Sequence, residues 1–379
     1  MGGVAAALAA LEAGYRVIVT EETDWLGGQM TAQGVSALDE HAYIEQFGGT
    51  RSYYALRQRI REHYQERYDL PARMPDGVTP LNPGNGWVSR LCFEPRVGEQ
   101  VIRELLEPYL LAQRLMVLYR HKPMRAAVTE HNIQSVTLAH KGETVTLHAA
   151  YFLDATELGE LLPLTGTAFV TGAESRDDTG EPHAADSARP QEVQSFTFPF
   201  AVEYCPGEDH TLPKPSGYER FREAQPYSLT IEVNHGVPKR YPMFSGALPF
   251  WSYRRLLDAA LLQDATVPHD ISMINWPSND YDAADLISAS KTRQRTIWRE
   301  AKALSLGFLY WLQTEAPRDE GGYGYPELRL RKDVMGTRDG LSKYPYIRES
   351  RRLVALERVL EHDISKDDVK GARARNFRS

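Results

Sequence analysis

The chain opens with "MGGVAAALAALEAGYRVIVTEETDWLGGQ", and no other stretch restricts the fold as much. Val4, Leu8 and Leu11 recur at helical spacing among alanines, which predicts a helix with one apolar face. Gly14 stands where a C′ glycine ends such a helix. "RVIVTE" follows as a short, mostly buried strand. Glycines at a helix start let backbone N–H groups approach an anion at the positive end of the helix dipole. An acid at the end of the next strand can accept a hydrogen bond from a ribose hydroxyl. Glu21 lies 18 positions after Gly3, near the spacing of a dinucleotide fingerprint. An ordinary αβ unit with a Gly-Gly turn reads the same residues without a ligand.

A second set of segments lies further along. "EPRVGEQVIRELLEPYLL" reads as a helix and "RLMVLYRHKP" as a strand. The runs "RAAVTEHNIQSVTLAH" and "ETVTLHAAYFLDATELGELLPLTG", separated by the turn "HKGE", predict a small antiparallel meander. The second run ends on "AYFLDAT", expected as a strand returning to the main sheet.

These segments, in this order, resemble the FAD-binding domain of the FAD-dependent oxidoreductases of the glutathione reductase-like superfamily. Gly3 matches the last glycine of that family's Gly-x-Gly-x-x-Gly turn, Glu21 its ribose-binding acid, and Gly27 and Gly28 its Gly-Gly loop. "DATELGE" resembles a variant of the family's Ala-Thr-Gly turn, with Gly159 displaced three positions from Thr156. The resemblance therefore implies FAD as cofactor. It assigns Gly2, Gly3, Glu21, Glu22, Gly27, Gly28, Gln29, Asp154, Ala155 and Thr156 to its binding. The family's first strand and leading glycines have no counterpart before Gly2, so the resemblance predicts that roughly 10 residues are missing there. Its closing glycine-containing strand–helix segment has no counterpart before "NFRS".

The expected fold is α/β: an incomplete Rossmann-like FAD-binding domain with a β-meander, plus a mixed α+β substrate domain. The FAD domain is expected over residues 1–170, with a helical insertion at about 40–95. The substrate domain follows over 171–330, and residues 331–379 return toward the FAD domain. Between Thr171 and about Tyr227, loops rich in Pro, Gly, Asp, His and Ser flank the strand-like "SFTFPFAVEY". "SMINWPSNDYDAADL" crowds Asn275, Trp276, Asn279, Asp280 and Tyr281 around Pro277. Trp and Tyr supply flat walls and Asn and Asp orient a polar ligand. Asn279 or Asp280 can equally cap a helix starting near "AADLI". "SKTRQRTIWREAKALSLGFLYWLQTEA" is a long helix with Ile297, Ala301, Leu304, Phe308 and Leu312 on one core-facing stripe.

In "YIRESRRLV", Arg348, Glu349, Arg351 and Arg352 fall within five residues. Arginine forks suit carboxylate, phosphate or an anionic flavin edge. A solvated helix start with Glu349 pairing to Arg352 accounts for the same pattern. The family carries a similar segment at the boundary between its substrate and FAD domains. The resemblance thus makes Arg348, Glu349 and Arg351 catalytic-site candidates. No catalytic base can be chosen among His210, His235 and His269.

Composition bounds the function. A chain of 379 residues with 42% hydrophobic and 25% charged residues suits a soluble globular protein of two domains. The net charge of -7 gives no footprint for nucleic acid, and the mildly basic tail from Lys366 reads as a solvated end. No apolar run approaches the ~18 residues of a membrane span, and "VAAALAAL" lacks the charged n-region of a secretory signal. Cys92 and Cys205 alone cannot build a disulfide framework or a Cys-x-x-Cys pair, which fits a reducing, cytoplasmic setting. No clustered Cys/His spacing in the linear sequence suggests a metal. The expected activity is FAD-dependent hydride transfer from a small organic substrate. The alternatives are a non-catalytic fragment or flavoprotein-like binding protein, and a flavin-dependent RNA-modifying enzyme, which the acidic charge disfavours. Oligomeric state is not legible.

Overall fold

The structure, a computed structural model, describes residues 1–233 and 236–365; His235 and the basic tail lie outside the described residues. The elements that frame the candidate site are, in chain order, α1 (Gly2–Glu12), β1 (Val17–Glu21), α2 (Arg51–Tyr68), α3 (Pro95–Leu111) and β2 (Leu115–Tyr119). There follow β3 (Lys122–Thr129), β4 (Asn132–His140), β5 (Glu143–Leu147), β6 (Phe200–Tyr204), β7 (Arg255–Leu257), β8 (Ile271–Ile274), α4 (Lys291–Thr314) and β9 (Leu328–Leu330). The chain divides into two units. The first comprises Met1–Lys122, Phe196–Tyr281 and Arg295–Ile347; the second comprises Pro123–Ser195, Asp282–Gln294 and the residues from Arg348 on.

In the first unit α1 buries Val4, Ala7 and Leu11, with Leu8 packed against the same core. Its end is a Schellman motif. Tyr15 N–H donates to Ala10 O at 3.0 Å and Gly14 N–H to Leu11 O at 3.1 Å, with Gly14 at φ 96°. That left-handed backbone favours glycine, as Gly14's position in the sequence implies. β1 then pairs parallel to β2 from Val17↔Leu115 to Glu21↔Tyr119. A parallel pair needs a long crossover, and α2 and α3 supply it. β1 is less buried than expected, with Ile18 exposed and the rest half-buried. The reason is its sheet: among the described residues it has β2 as its one partner strand, so less of its surface is covered.

The helical insertion buries charge as well as apolar surface. α2 starts at the N-cap Thr50, whose side chain accepts from Tyr53 N–H at 3.2 Å. Its inner face carries Leu56, Ile60 and Tyr64, and with them Arg57 and Arg61. Arg57 bridges Glu40 and Glu45, and Arg61 pairs with Glu45 at 2.7 Å. Buried guanidinium groups are tolerated because each finds a carboxylate.

"SFTFPFAVEY" forms β6, one of the two inner strands of an antiparallel sheet of order β7-β8-β6-β9. Four of its five residues are buried, and β8 is buried throughout. α4 packs with Ile297, Ala301, Leu304, Phe308 and Leu312 inward, the expected stripe. No helix begins at "AADLI"; α4 starts at Lys291. Asp285 instead accepts from Ile287 N–H at 2.7 Å and from Ser288 N–H, a local turn that competes with helix.

In the second unit β3, β4 and β5 form the expected meander. β4 and β5 pair from Val136↔Leu147 to His140↔Glu143. Lys141 (φ 48°) and Gly142 (φ 91°) make the two-residue hairpin turn, for which both central residues need positive φ. "YFLDAT" is not the returning strand that was expected. It finds no neighbouring strand among the described residues, and Tyr151 and Leu153 stay exposed. "RESRR" is not a helix start either: Arg352–Leu353 pairs antiparallel with Phe169–Val170, which holds the segment extended.

Candidate cofactor and substrate residues

The first unit gathers the N-terminal motif. α1 begins at Gly2 with Met1 at the N-cap, no side-chain cap and no acid in its first turn. The leading N–H groups of a helix have no intrahelical acceptor, so this end presents donors and positive dipole without a built-in counter-charge. A Cβ placed on exposed Gly2 would meet nothing within 4 Å. The Met1 nitrogen donates to Gly27 O at 3.3 Å, which ties the Gly-Gly loop to this helix start.

Gly27 sits at φ 116° and Gly28 at φ 54°. At Gly27 a side chain fails twice: the backbone is left-handed, and a Cβ would lie 2.7 Å from Ile102 and Thr31. Gln29 follows in the short turn Gly28–Met30, and its carbonyl accepts from Val35 N–H at 2.9 Å.

Glu21 ends β1 half-buried. Its Oε1 accepts from Thr23 N–H at 2.7 Å and from Thr23 Oγ1 at 2.8 Å, which fixes the carboxylate at the carboxyl end of the parallel pair. Glu22 pairs with Lys122 at 3.0 Å. Asp24 pairs with Lys343 at 3.0 Å, and Lys343 Nζ also lies 4.3 Å from the centre of the Trp25 ring. Burial alone would raise the Asp24 carboxyl, but Lys343 and Arg120 hold it below its ordinary value. The segment after β9 thus locks the loop that follows β1.

Sequence reasoning gave no signal for one residue in this region. Gln33 is 1% exposed; its Oε1 accepts from Ile347 N–H at 3.2 Å, while its Nε2 has no hydrogen-bond partner among the described residues. A buried amide donor left so costs about 1–3 kcal/mol.

The Asn275–Tyr281 residues also belong to the first unit. Asn275, Trp276, Asn279 and Tyr281 are buried and Asp280 half-buried. Trp276 meets Tyr241, Phe250 and Tyr253 edge-on, and its ring N–H donates to Ser228 O at 3.0 Å. Asn279 Oδ1 accepts from Trp276 N–H at 2.9 Å, so it caps this turn rather than a helix at "AADLI". Tyr281 donates to Glu300 at 2.6 Å, and Thr197 to Asp280.

In the second unit Asp154 shapes its own turn. It accepts from Thr156 N–H at 2.9 Å, Thr156 Oγ1 at 2.7 Å and Leu161 N–H at 3.0 Å; Ala155 between them is exposed. The fold brings this turn to the arginine cluster. Arg351 donates to Leu158 O at 2.8 Å and Ile287 O at 2.7 Å, and a Cβ on Gly159 (φ 63°) would lie 3.2 Å from Arg351 Cβ. Arg348 donates to Ser195 O at 3.0 Å. Glu349 accepts from Gly172 N–H at 3.0 Å and Gln194 N–H at 2.9 Å, and pairs with Arg352 at 2.6 Å.

Of the three histidines, His210 contacts Glu208 at 2.7 Å and His269 contacts Glu203 at 3.2 Å; His235 lies outside the described residues. Both cysteines are buried and unbridged, and burial pushes the Cys92 thiol up to about 12. Among the described residues no helix is long and apolar enough to cross a membrane.

No relative is found among the curated proteins compared with the chain. A family model described as FAD dependent oxidoreductase matches residues 1–378. The match spans the glycine start of α1, Glu21, the Gly-Gly loop and both later clusters, and the chain belongs to the FAD-dependent oxidoreductase family, whose cofactor is FAD.

Proposed function

We propose that this chain oxidises a small organic substrate by hydride transfer from a substrate carbon to FAD. The family match over residues 1–378 carries this reading. The N-terminal motif of the first unit supports it, because its residues suit the cofactor. The uncapped, acid-free start of α1 at Gly2 and Gly3 suits a pyrophosphate, and the open space at Gly2 leaves room for one. Glu21, oriented by Thr23, would accept from a ribose hydroxyl. Glu22 and Gln29, next in sequence to Glu21 and Gly28, are assigned to the same site. Gly27 and Gly28 allow the tight loop to pass without side chains. The unpaired Gln33 Nε2 is a donor that a carbonyl of the bound cofactor would satisfy.

FAD supplies the redox chemistry when bound, and the protein supplies position and electrostatics. In the second unit we assign Asp154, Ala155 and Thr156 to the cofactor side, as a turn already shaped by Asp154. Arg348, Glu349 and Arg351 are assigned as catalytic-site candidates, the two arginines for anion recognition and Glu349 for positioning Arg352, with which it pairs. On the substrate side we assign Asn275, Trp276, Asn279, Asp280 and Tyr281, of which half-buried Asp280 is the most open to a ligand.

The test is anaerobic. The FAD-loaded protein is mixed with a panel of small amines, alcohols and hydroxy acids, and the blue absorbance of oxidised flavin is followed. Bleaching by one class, restored by an added acceptor, is the expected result. A chain that binds FAD but is bleached by no member of such a panel, at concentrations well above ordinary KM values, would overturn the hydride-transfer assignment.

A further inference from the structure

A cluster in the first unit takes no part in the function proposed above. Cys205 follows the end of β6, and the chain turns at once through Pro206 and Gly207. Gly207 has φ 84°, and Glu208 N–H donates back to Cys205 O at 3.2 Å. Pro then Gly at the two central positions is what a type II turn prefers. His210 is held by its own N–H, which donates to Pro326 O at 2.8 Å, and by its carbonyl, which accepts from Gln313 Nε2 at 2.7 Å. As a result one ligand atom each from Cys205, Glu208 and His210 lie within 4.8 Å of one another. A second triad shares the same sulfur: Cys205, Glu203 and His269, again within 4.8 Å.

We propose that Cys205, Glu208 and His210 form a binding site for a divalent cation of the zinc class. The donor set of one sulfur, imidazole nitrogen and carboxylate oxygen is the one such borderline-soft ions take. Metal bonds of about 2.0–2.3 Å at tetrahedral angles place ligand atoms roughly 3.3–3.6 Å apart. Glu208 and His210 already meet at 2.7 Å and would open slightly around an ion, while the sulfur, within 4.8 Å of both, would close toward it. A thiolate and the Glu208 carboxylate together balance a divalent charge.

Glu203 is not assigned as a ligand. Its Oε2 already accepts from Arg329 at 2.5 Å and Arg331 at 2.8 Å, so that oxygen is flanked by two guanidinium groups. They leave the ion the side of the sulfur toward the loop. Access lies on that side too: Cys205 is fully buried, while the Glu208 side chain is 53% exposed. The site has a fixed floor and an entry path. Linear spacing hid it, because Cys-x-x-Glu-x-His is no familiar motif.

Cobalt(II) tests the proposal. The 379-residue chain is stripped with a chelator and titrated with Co2+ while the red-region ligand-field bands are read, where oxidised flavin does not absorb. The expected result is intense tetrahedral absorption saturating at one ion per chain, lost on adding Zn2+. Cys205→Ser and His210→Ala should each weaken binding at least tenfold, and Glu208→Gln should weaken it in the same direction. Arg329→Ala should not. His210 and Glu208 lie on the partly open loop, so their variants keep the test sound if Cys205→Ser folds poorly. Weak octahedral absorption like that of the free ion, or a tetrahedral spectrum unchanged by His210→Ala and Glu208→Gln, would overturn the site.

Discussion

Replacing Glu21 separates its two jobs. Its Oε1 accepts two hydrogen bonds from Thr23, at 2.7 Å and 2.8 Å, and these shape the turn after β1. Glu21→Ala removes both acceptor contacts. At about 0.5–1.5 kcal/mol net for each bond, the expected loss of stability is about 1–3 kcal/mol. Glu21→Gln keeps a carbonyl oxygen for Thr23 and should change stability by less than about 0.5 kcal/mol. FAD binding should respond differently. A hydrogen bond to a charged acceptor contributes about 1.5–3 kcal/mol, so Glu21→Ala should weaken FAD binding by about 10- to 140-fold. The neutral amide keeps about half of that energy, so Glu21→Gln should weaken it about 3- to 12-fold. The assay is titration of FAD into flavin-free protein, read by quenching of flavin fluorescence, with urea unfolding run on each variant. If both variants bind FAD as tightly as the wild type, Glu21 is a turn residue and not a ribose ligand.

Gly27→Ala forces a Cβ into a left-handed position 2.7 Å from Ile102 and Thr31. Backbone and packing costs together should destabilise by about 2–5 kcal/mol, and urea unfolding checks this. Arg57 is 1% exposed between Glu40 and Glu45, so Arg57→Ala strands a buried carboxylate and should cost about 3–5 kcal/mol in the same assay. Asp319 accepts from the N–H groups of Met243, Phe244 and Ser245 at 2.8, 2.8 and 2.9 Å. Burial alone would raise its carboxyl, but these bonds hold it below the ordinary value. Its folded value is the lower one, so its stabilisation is full above about pH 4 and fades as pH falls through that lower value. Asp319→Asn should therefore unfold more easily at neutral pH, with the gap to wild type closing in acid; a gap that stays constant down to pH about 2 would contradict this.

Local pattern carried much of the architecture. The Val4–Leu11 spacing, Gly14, the Lys141–Gly142 turn and the α4 stripe each have a physical cause within a few residues of chain, so they could be read directly. What depended on distant partners could not. "YFLDAT" has strand composition but finds no ladder, and "RESRR" has helical charge spacing but is drawn straight by Phe169–Val170. Of the four-stranded sheet only "SFTFPFAVEY" was legible as a strand, because its partners Arg255–Leu257, Ile271–Ile274 and Leu328–Leu330 are three or four residues long, too short for an alternating pattern to repeat. For the site, Glu21 and the Gly-Gly loop were legible because glycine backbone and strand-end acids leave fixed spacings. Gln33 and the Cys205 cluster were not, since one is an unremarkable amide whose meaning lies in its burial. The other joins Cys205, Glu208 and His210 at a spacing that is no familiar motif.

Retention of the cofactor shows whether this chain holds FAD. The 379-residue chain is incubated with excess FAD, passed through a desalting column and scanned in the visible range, with circular dichroism confirming that it is folded. The two absorption bands of oxidised flavin are expected at close to one FAD per chain, with less flavin retained by Glu21→Ala. Folded protein that emerges colourless would contradict FAD binding by this chain.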